Sequence, residues 1–116
     1  MITMVSGSRS IKGDIGRHIV FGILNKHITK DGPVIQGGAG GVDSIVHEWC
    51  SINAVECITL RPISPTPVIN YLYRNVEMIT IASKILCIWD GQSRGTKFVI
   101  DYAQARKKVL SIEVVK

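Results

Sequence analysis

The stretch VIQGGAGGVDSIVH, Val34 to His47, decides the reading of the fold. A short β-like run, Val34-Ile35-Gln36, stops at Gly37-Gly38-Ala39-Gly40-Gly41. A helical pattern then starts at Asp43 and places Ile45, Val46, Trp49 and Cys50 on one face. Glycine adds no side chain to a core and loses the most freedom on folding. Four glycines within five residues are therefore read as a shaped backbone surface between a strand and a helix, not as slack chain.

The same unit recurs on both sides. Met1 to Val5 is a β-like run ending at Ser6-Gly7-Ser8-Arg9. A helical pattern follows, with Ile11, Ile15, Ile19, Ile23, Leu24 and Ile28 on its apolar side and Asp14 as the expected N-cap. Asp31-Gly32-Pro33 breaks it. Glu56 to Leu60 reads as a third strand, and Pro62, Pro65 and Pro67 exclude regular structure beyond it. A helix resumes near Val68, carrying Ile69, Leu72, Val76 and Ile79. Lys84 to Trp89 is a fourth strand ending at Asp90-Gly91. Val99, Ile100, Ala103 and Lys107 trace a fourth helix, and Val109 to Val115 a last strand.

Strands alternating with helices predict a parallel sheet covered on both faces and joined by right-handed crossovers. The near-continuous apolar strands agree with that burial. The expected fold is α/β: one three-layer Rossmann-like domain over residues 1–116, with five strands in the order 3-2-1-4-5. In that order strands two, one and four are neighbours, so SGSR, GGAGGVD and DGQSRGT open side by side. Ligands of open parallel sheets bind beyond the carboxyl ends of the strands, where strand order reverses.

Those turns suit an anion. Glycine admits close approach of backbone amides, and each turn enters a helix whose unpaired amides and dipole favour negative charge. The candidate ligand and phosphate residues are Gly7, Ser8 and Arg9 in the first turn. The second contributes Gly37, Gly38, Ala39, Gly40, Gly41 and Asp43, and the third Gly91, Ser93, Gly95 and Thr96. Ser6 and Arg94 add a hydroxyl and a charge. Neither GxxxxGK[ST] nor GxGxxG after the first strand is present, which argues against a P-loop enzyme or a standard NAD-dependent dehydrogenase.

Composition narrows the classes further. With 46% hydrophobic and 20% charged residues the chain has the makings of a folded core. No apolar run is long enough to span a bilayer, and the first residues do not read as a signal peptide, so no membrane partner is expected and a reducing cytoplasm is the expected compartment. Cys50, Cys57 and Cys87 are odd in number and lack CxxC spacing; each is expected as a small buried hydrophobe, with no metal site. The formal net charge of +5 favours anionic partners. The densest basic cluster, Arg106-Lys107-Lys108, falls where a helix should end and complements its dipole.

Four ordered motifs, GSR at Gly7–Arg9, GGAGGVD at Gly37–Asp43, RNVEM at Arg74–Met78 and DGQSRGT at Asp90–Thr96, make the chain resemble the SLOG superfamily of Rossmann-like nucleotide-ligand proteins. Within that superfamily the pattern resembles the small YspA-like proteins. GGVDSIVH also resembles the core of DNA-processing protein A. The resemblance implies a nucleotide or nucleotide-derived ligand, its phosphate near Gly37–Asp43 and Gly91–Thr96, with Arg74 and Asn75 as contacts. No further cofactor is evident in the sequence. Lonely Guy phosphoribohydrolases, which are related, use a glutamate where this chain has Val99, so a carboxylate for that chemistry must come from elsewhere.

Three functions follow as expectations. The first is a sensor or binding module for a nucleotide-derived small molecule. The second is an enzyme acting on a nucleotide N-glycosidic bond, with Asp43, Asp90 and Arg74 as catalytic candidates and Asp101 as a further carboxylate. The third is single-stranded nucleic-acid binding, which ranks last because no RNP aromatic pattern or basic stripe is present. Asp43 reads first as an N-cap accepting from Ile45 or Val46, and Asp90 as a turn residue. The bland reading of Arg74 is an exposed ion pair with Glu77 or a neighbouring helix. His47 is expected to be packed or at the surface, and His18 and His27 solvated. Trp49 and Trp89 read as core or interface residues, Trp89 also as a flank for a base, and Tyr71 and Tyr73 mainly as packing. The small core leaves a homo-oligomer open.

Overall fold

Strand β1 (Thr3–Gly7) lies at the centre of the sheet because its residues are buried from both sides: Met4 and Val5 point to opposite faces and neither is exposed to solvent. In a computed structural model describing residues 1–64 and 66–116, β1 is followed by α1 (Gly13–His27), β2 (Val34–Gln36) and α2 (Val42–Ile52). Then come β3 (Cys57–Thr59), α3 (Ile69–Ile81), β4 (Lys84–Trp89), α4 (Arg94–Ala105) and β5 (Val109–Val114). Pro62 and Pro67 lie in the irregular segment before α3, as expected; Pro65 lies outside the described residues.

All strand pairings are parallel and the order is β3-β2-β1-β4-β5. Strand β1 pairs with β4 from Thr3↔Lys84 to Gly7↔Ile88, so the chain reverses its direction of growth between these two strands. This is the expected Rossmann-like three-layer arrangement. Among the described residues, no helix is long and apolar enough to cross a membrane.

The alternation of β1 and β4 side chains divides the interior in two. Val5, Leu86 and Ile88 pack with Val20 and Leu24 of α1 and Val42, Val46 and Trp49 of α2. Met4, Ile85 and Cys87 face Met78 and Ile79 of α3 and Val99, Ile100 and Ala103 of α4. Truncating a buried Leu or Ile of either layer to alanine costs about 2 to 5 kcal/mol.

Several element ends differ from the sequence reading, each for a local reason. The N-cap of α1 is Lys12, and Asp14 sits in the first turn, where its charge complements the helix dipole. The inner stripe of α1 is Gly16, Val20 and Leu24, leaving Ile15 78% exposed. Helix α4 ends at Ala105, and Lys107 lies beyond it with a left-handed φ of 55°. Lys108 Nζ instead donates to Ala82 O (2.9 Å) and Thr80 O (3.3 Å), cancelling partial charge at the end of α3. His27 is half-buried and within 2.6 Å of Glu113 Oε2, not free in solvent. Cys50 and Cys87 are buried as expected, whereas Cys57, on edge strand β3, is only half-buried.

Candidate functional site

Beyond the carboxyl ends of β1 and β4 the three turns enclose one cavity of about 750 Å³. Gly7 and Arg9 of the first turn line it with Ala39 and Asp43 of the second and Asp90, Ser93, Arg94, Gly95 and Thr96 of the third. Helix α3 supplies a further wall through Tyr71, Leu72, Arg74, Asn75 and Met78, and Val5, Ser6, Ser10 and Val68 complete the lining. Ser8, Gly37, Gly38, Gly40, Gly41 and Gly91 do not lie on the lining.

The first and third turns are tied together by hydroxyls. Ser8 is buried; its Oγ accepts from the Asp90 amide (3.0 Å) and lies 3.1 Å from Ser93 Oγ. Ser93 Oγ in turn donates to Thr96 Oγ1 (3.0 Å). Asp90 Oδ1 accepts the Gln92 and Ser93 amides, both at 2.8 Å, and Oδ2 accepts the Ser10 hydroxyl at 2.6 Å. The Ser10 bond, followed by the Ser93 and Gln92 amides, lowers the Asp90 pKa to about 2. The turn-residue reading of Asp90 is therefore the observed one, although the residue also borders the cavity.

The second turn is built around buried polar groups. Gln36 is 1% exposed, its Oε1 accepting the Gly38 amide (2.6 Å) while Nε2 donates to Thr59 Oγ1 (2.7 Å). A Cβ on Gly41 would lie 2.6 Å from the backbone of Ser8 and Arg9, and its φ is 69°. The first and second turns therefore touch backbone to backbone, and only glycine fits. Asp43 is the second residue of α2, and the N-cap is Gly41. Its Oδ2 reaches back to accept the Ala39 amide (3.1 Å) instead of capping Ile45 or Val46. Burial raises the Asp43 pKa to about 6, against the Ala39 hydrogen bond and the field of Arg74.

Arg74 and Asn75 are both buried, so the exposed ion pair with Glu77 is replaced by a different role. Arg74 Nε donates to Asn75 Oδ1 (2.9 Å), and Nη1 donates to the carbonyls of Gly37 and Leu60. Burial lowers its hold on its proton while Asp43 opposes that shift, and a guanidinium remains charged. Asn75 lines the cavity, and its Nδ2 has no hydrogen-bond acceptor among the described residues. The Tyr71 ring stands between the guanidiniums of Arg9 (5.6 Å) and Arg74 (5.5 Å), a cation–π arrangement at the cavity wall.

Other candidates lie elsewhere. Asp101 is exposed and paired with Lys97 at 2.6 Å on the surface of α4. Val99 is fully buried among apolar residues. Trp49 is core, donating from Nε1 to Asn25 Oδ1 (2.9 Å), while Trp89 donates to Ser93 O (3.0 Å) and does not line the cavity. His47 and Tyr73 are exposed. Gln36, Ser10 and Arg61 are not legible as site residues in the sequence. Arg61 Nη1 donates to Gly38 O (3.0 Å), and its only sequence signal is a cation just after the third strand. No group of three or more His, Cys, Asp or Glu among the described residues is placed to hold a metal ion.

Comparisons of the chain with protein-family models, with curated proteins and with solved structures found no match.

Proposed function

We propose that this protein binds a nucleotide or nucleotide-derived phosphorylated ligand in the cavity beyond β1 and β4, acting as a sensor or binding module. The observation that carries this reading is the convergence of all three turns on one cavity with three arginines, Arg9, Arg74 and Arg94, on its lining. Asp90 and Asp43 are the opposing carboxylates there, and Asp43 gives up part of its charge as pH falls toward 6. The cavity therefore favours an anion, and the amides opening α4 add to that preference.

The rest of the wall suits the remainder of such a ligand. Val5, Leu72 and Met78 offer apolar surface for a base, and Asn75 Nδ2 offers a donor to a ring nitrogen, carbonyl or sugar oxygen. Gly95 faces open space: a Cβ there would meet nothing within 4 Å. The motif resemblance to the SLOG superfamily supports the same ligand class. Thermal-shift measurements with AMP, ADP-ribose, NAD and cyclic nucleotides test the proposal. Stabilisation by at least one, lost in Arg74→Met, is the expected result; no stabilisation of a folded sample by any of them refutes it.

A second reading, hydrolysis of a nucleotide N-glycosidic bond, rests on Asp43 alone. It is a buried cavity carboxylate with a pKa near neutrality, which suits a group that exchanges protons. In that reaction water adds to the anomeric carbon as the base departs with a proton. Chromatography of nucleoside monophosphates after incubation should show free base with the native chain and none with Asp43→Asn.

A further inference from the structure

The wall that α3 gives the cavity carries two buried polar side chains in succession. Arg74 and Asn75 are 8% and 7% exposed, and both line the cavity. Tyr71, Asn75 and Met78 fall at i, i+4 and i+7, on one face of the helix. An arginine Nε–H only donates, so the Asn75 atom 2.9 Å from Arg74 Nε is the carbonyl oxygen Oδ1. That bond fixes which way round the amide lies. Its other end, Nδ2, has no acceptor among the described residues, and no fully enclosed side-chain nitrogen or oxygen there lacks a partner, so Nδ2 is open to the cavity. Arg74 spends Nε on Asn75 and Nη1 on the carbonyls of Gly37 and Leu60, which leaves Nη2 without an acceptor among the described residues.

We infer that this pair selects the base of the ligand, taking the nucleotide of a 6-oxopurine, guanine or hypoxanthine, in preference to that of adenine. The preference rests on the proposed function and narrows it. A 6-oxopurine shows two neighbouring acceptors, O6 and N7, on one edge, whereas adenine shows an N6 amino donor beside N7. Two donors from consecutive residues match the first edge. Adenine would set its amino group against an N–H and leave a buried donor unpaired. Reading adenine with an amide takes both ends of the Asn side chain, and here Oδ1 is held by Arg74.

The rest of the lining agrees with a base at this wall. Val5, Leu72 and Met78 supply apolar surface for the face of a purine. Arg94, Gly95 and the amides opening α4 belong to another element and are left for the phosphate. The carboxylates on the lining, Asp43 and Asp90, stand on α2 and on the third turn. No carboxylate of α3 lines the cavity to receive adenine's amino group.

Titration calorimetry of the full chain with IMP and AMP, whose rings differ only at C6 and N1, is the test. IMP and GMP should bind about tenfold more tightly than AMP, and a deaza analogue of GMP lacking N7 should lose most of that advantage. Asn75→Asp keeps an oxygen for Arg74 Nε and turns an acceptor to the cavity, so the preference should vanish or pass to AMP. Asn75→Leu, of similar volume, should bind IMP and AMP alike. AMP binding the native chain as tightly as IMP overturns the base preference and leaves the proposed function standing. A preference for IMP that survives in folded Asn75→Leu removes Asn75 as its source and overturns the assignment too. If none of these nucleotides binds a folded native chain, the proposed function itself fails and the base preference with it.

Discussion

The second and third turns reach the same cavity with a carboxylate each, yet treat it in opposite ways. Asp43 is 6% exposed and receives one backbone amide, so burial dominates and its pKa rises to about 6. Asp90 is partly open to solvent and receives two amides and a hydroxyl, so hydrogen bonding dominates and its pKa falls to about 2. The third turn uses its charge to hold its own shape. The second turn carries a charge that its surroundings resist, which is the costlier arrangement and the one expected where proton exchange or ligand contact is at stake.

The glycines repeat the contrast and give the largest expected effect. Gly41→Ala places a Cβ 2.6 Å from the backbone of Ser8 and Arg9, at a φ of 69°. Neither backbone can retreat without opening the first turn, so a loss of about 3 to 5 kcal/mol is expected in denaturant unfolding. Gly91 also has a positive φ, 84°, but a Cβ there would come no nearer than 4.0 Å to Val114. Gly91→Ala should therefore lose only the backbone term, about 1 to 2 kcal/mol. Equal losses at the two sites would show that contact between turns adds nothing.

The carboxylates can be separated by pH. For Asp43 the folded pKa lies above the unfolded one, so the native state holds the extra proton between about 4 and 6, and stability falls as pH rises through that window. Asp43→Asn removes this penalty and should raise stability at pH 7.5 by up to about 3 kcal/mol, flattening the profile between pH 4 and 6. For Asp90 the sign is reversed. Its folded pKa is depressed, so its contribution is complete above about pH 4 and is lost as pH falls toward 2. Asp90→Asn should lower Tm at pH 7.5 and weaken the acid dependence below pH 4. A destabilised Asp43→Asn would mean that the Ala39 bond outweighs desolvation.

Much of this can be read from the chain because a covered parallel strand announces itself as an apolar run. Strands β2 and β4 coincide with the runs Val34–Gln36 and Lys84–Trp89. The inner stripe of α1 is displaced by one residue because Gly16 is buried against Ile11 and has no hydrophobic signal. Ile15 takes its place in the pattern. The N-cap reading of Asp43 fails because a side chain reaching back to Ala39 and one capping forward share the same residue type. Gln36 and Arg61 act through contacts with Thr59 and Gly38 that form only once β3 lies beside β2. Local pattern carries no record of such partners.

Gly95 gives the smallest effect on stability and the clearest separation of binding from folding. It is the second residue of α4, has an ordinary helical neighbourhood, and lines the cavity with nothing near its missing side chain. No contact among the described residues therefore explains a glycine there, and alanine should be neutral or stabilise the helix by up to about 1 kcal/mol. A ligand drawn against the opening amides of α4 would meet the added methyl. Gly95→Ala should keep Tm at or above that of the native chain while weakening the best-binding phosphorylated nucleoside by about tenfold, close to 1.4 kcal/mol in titration calorimetry. Unchanged affinity would move the phosphate away from the third turn, leaving the second turn and Arg74 as its seat.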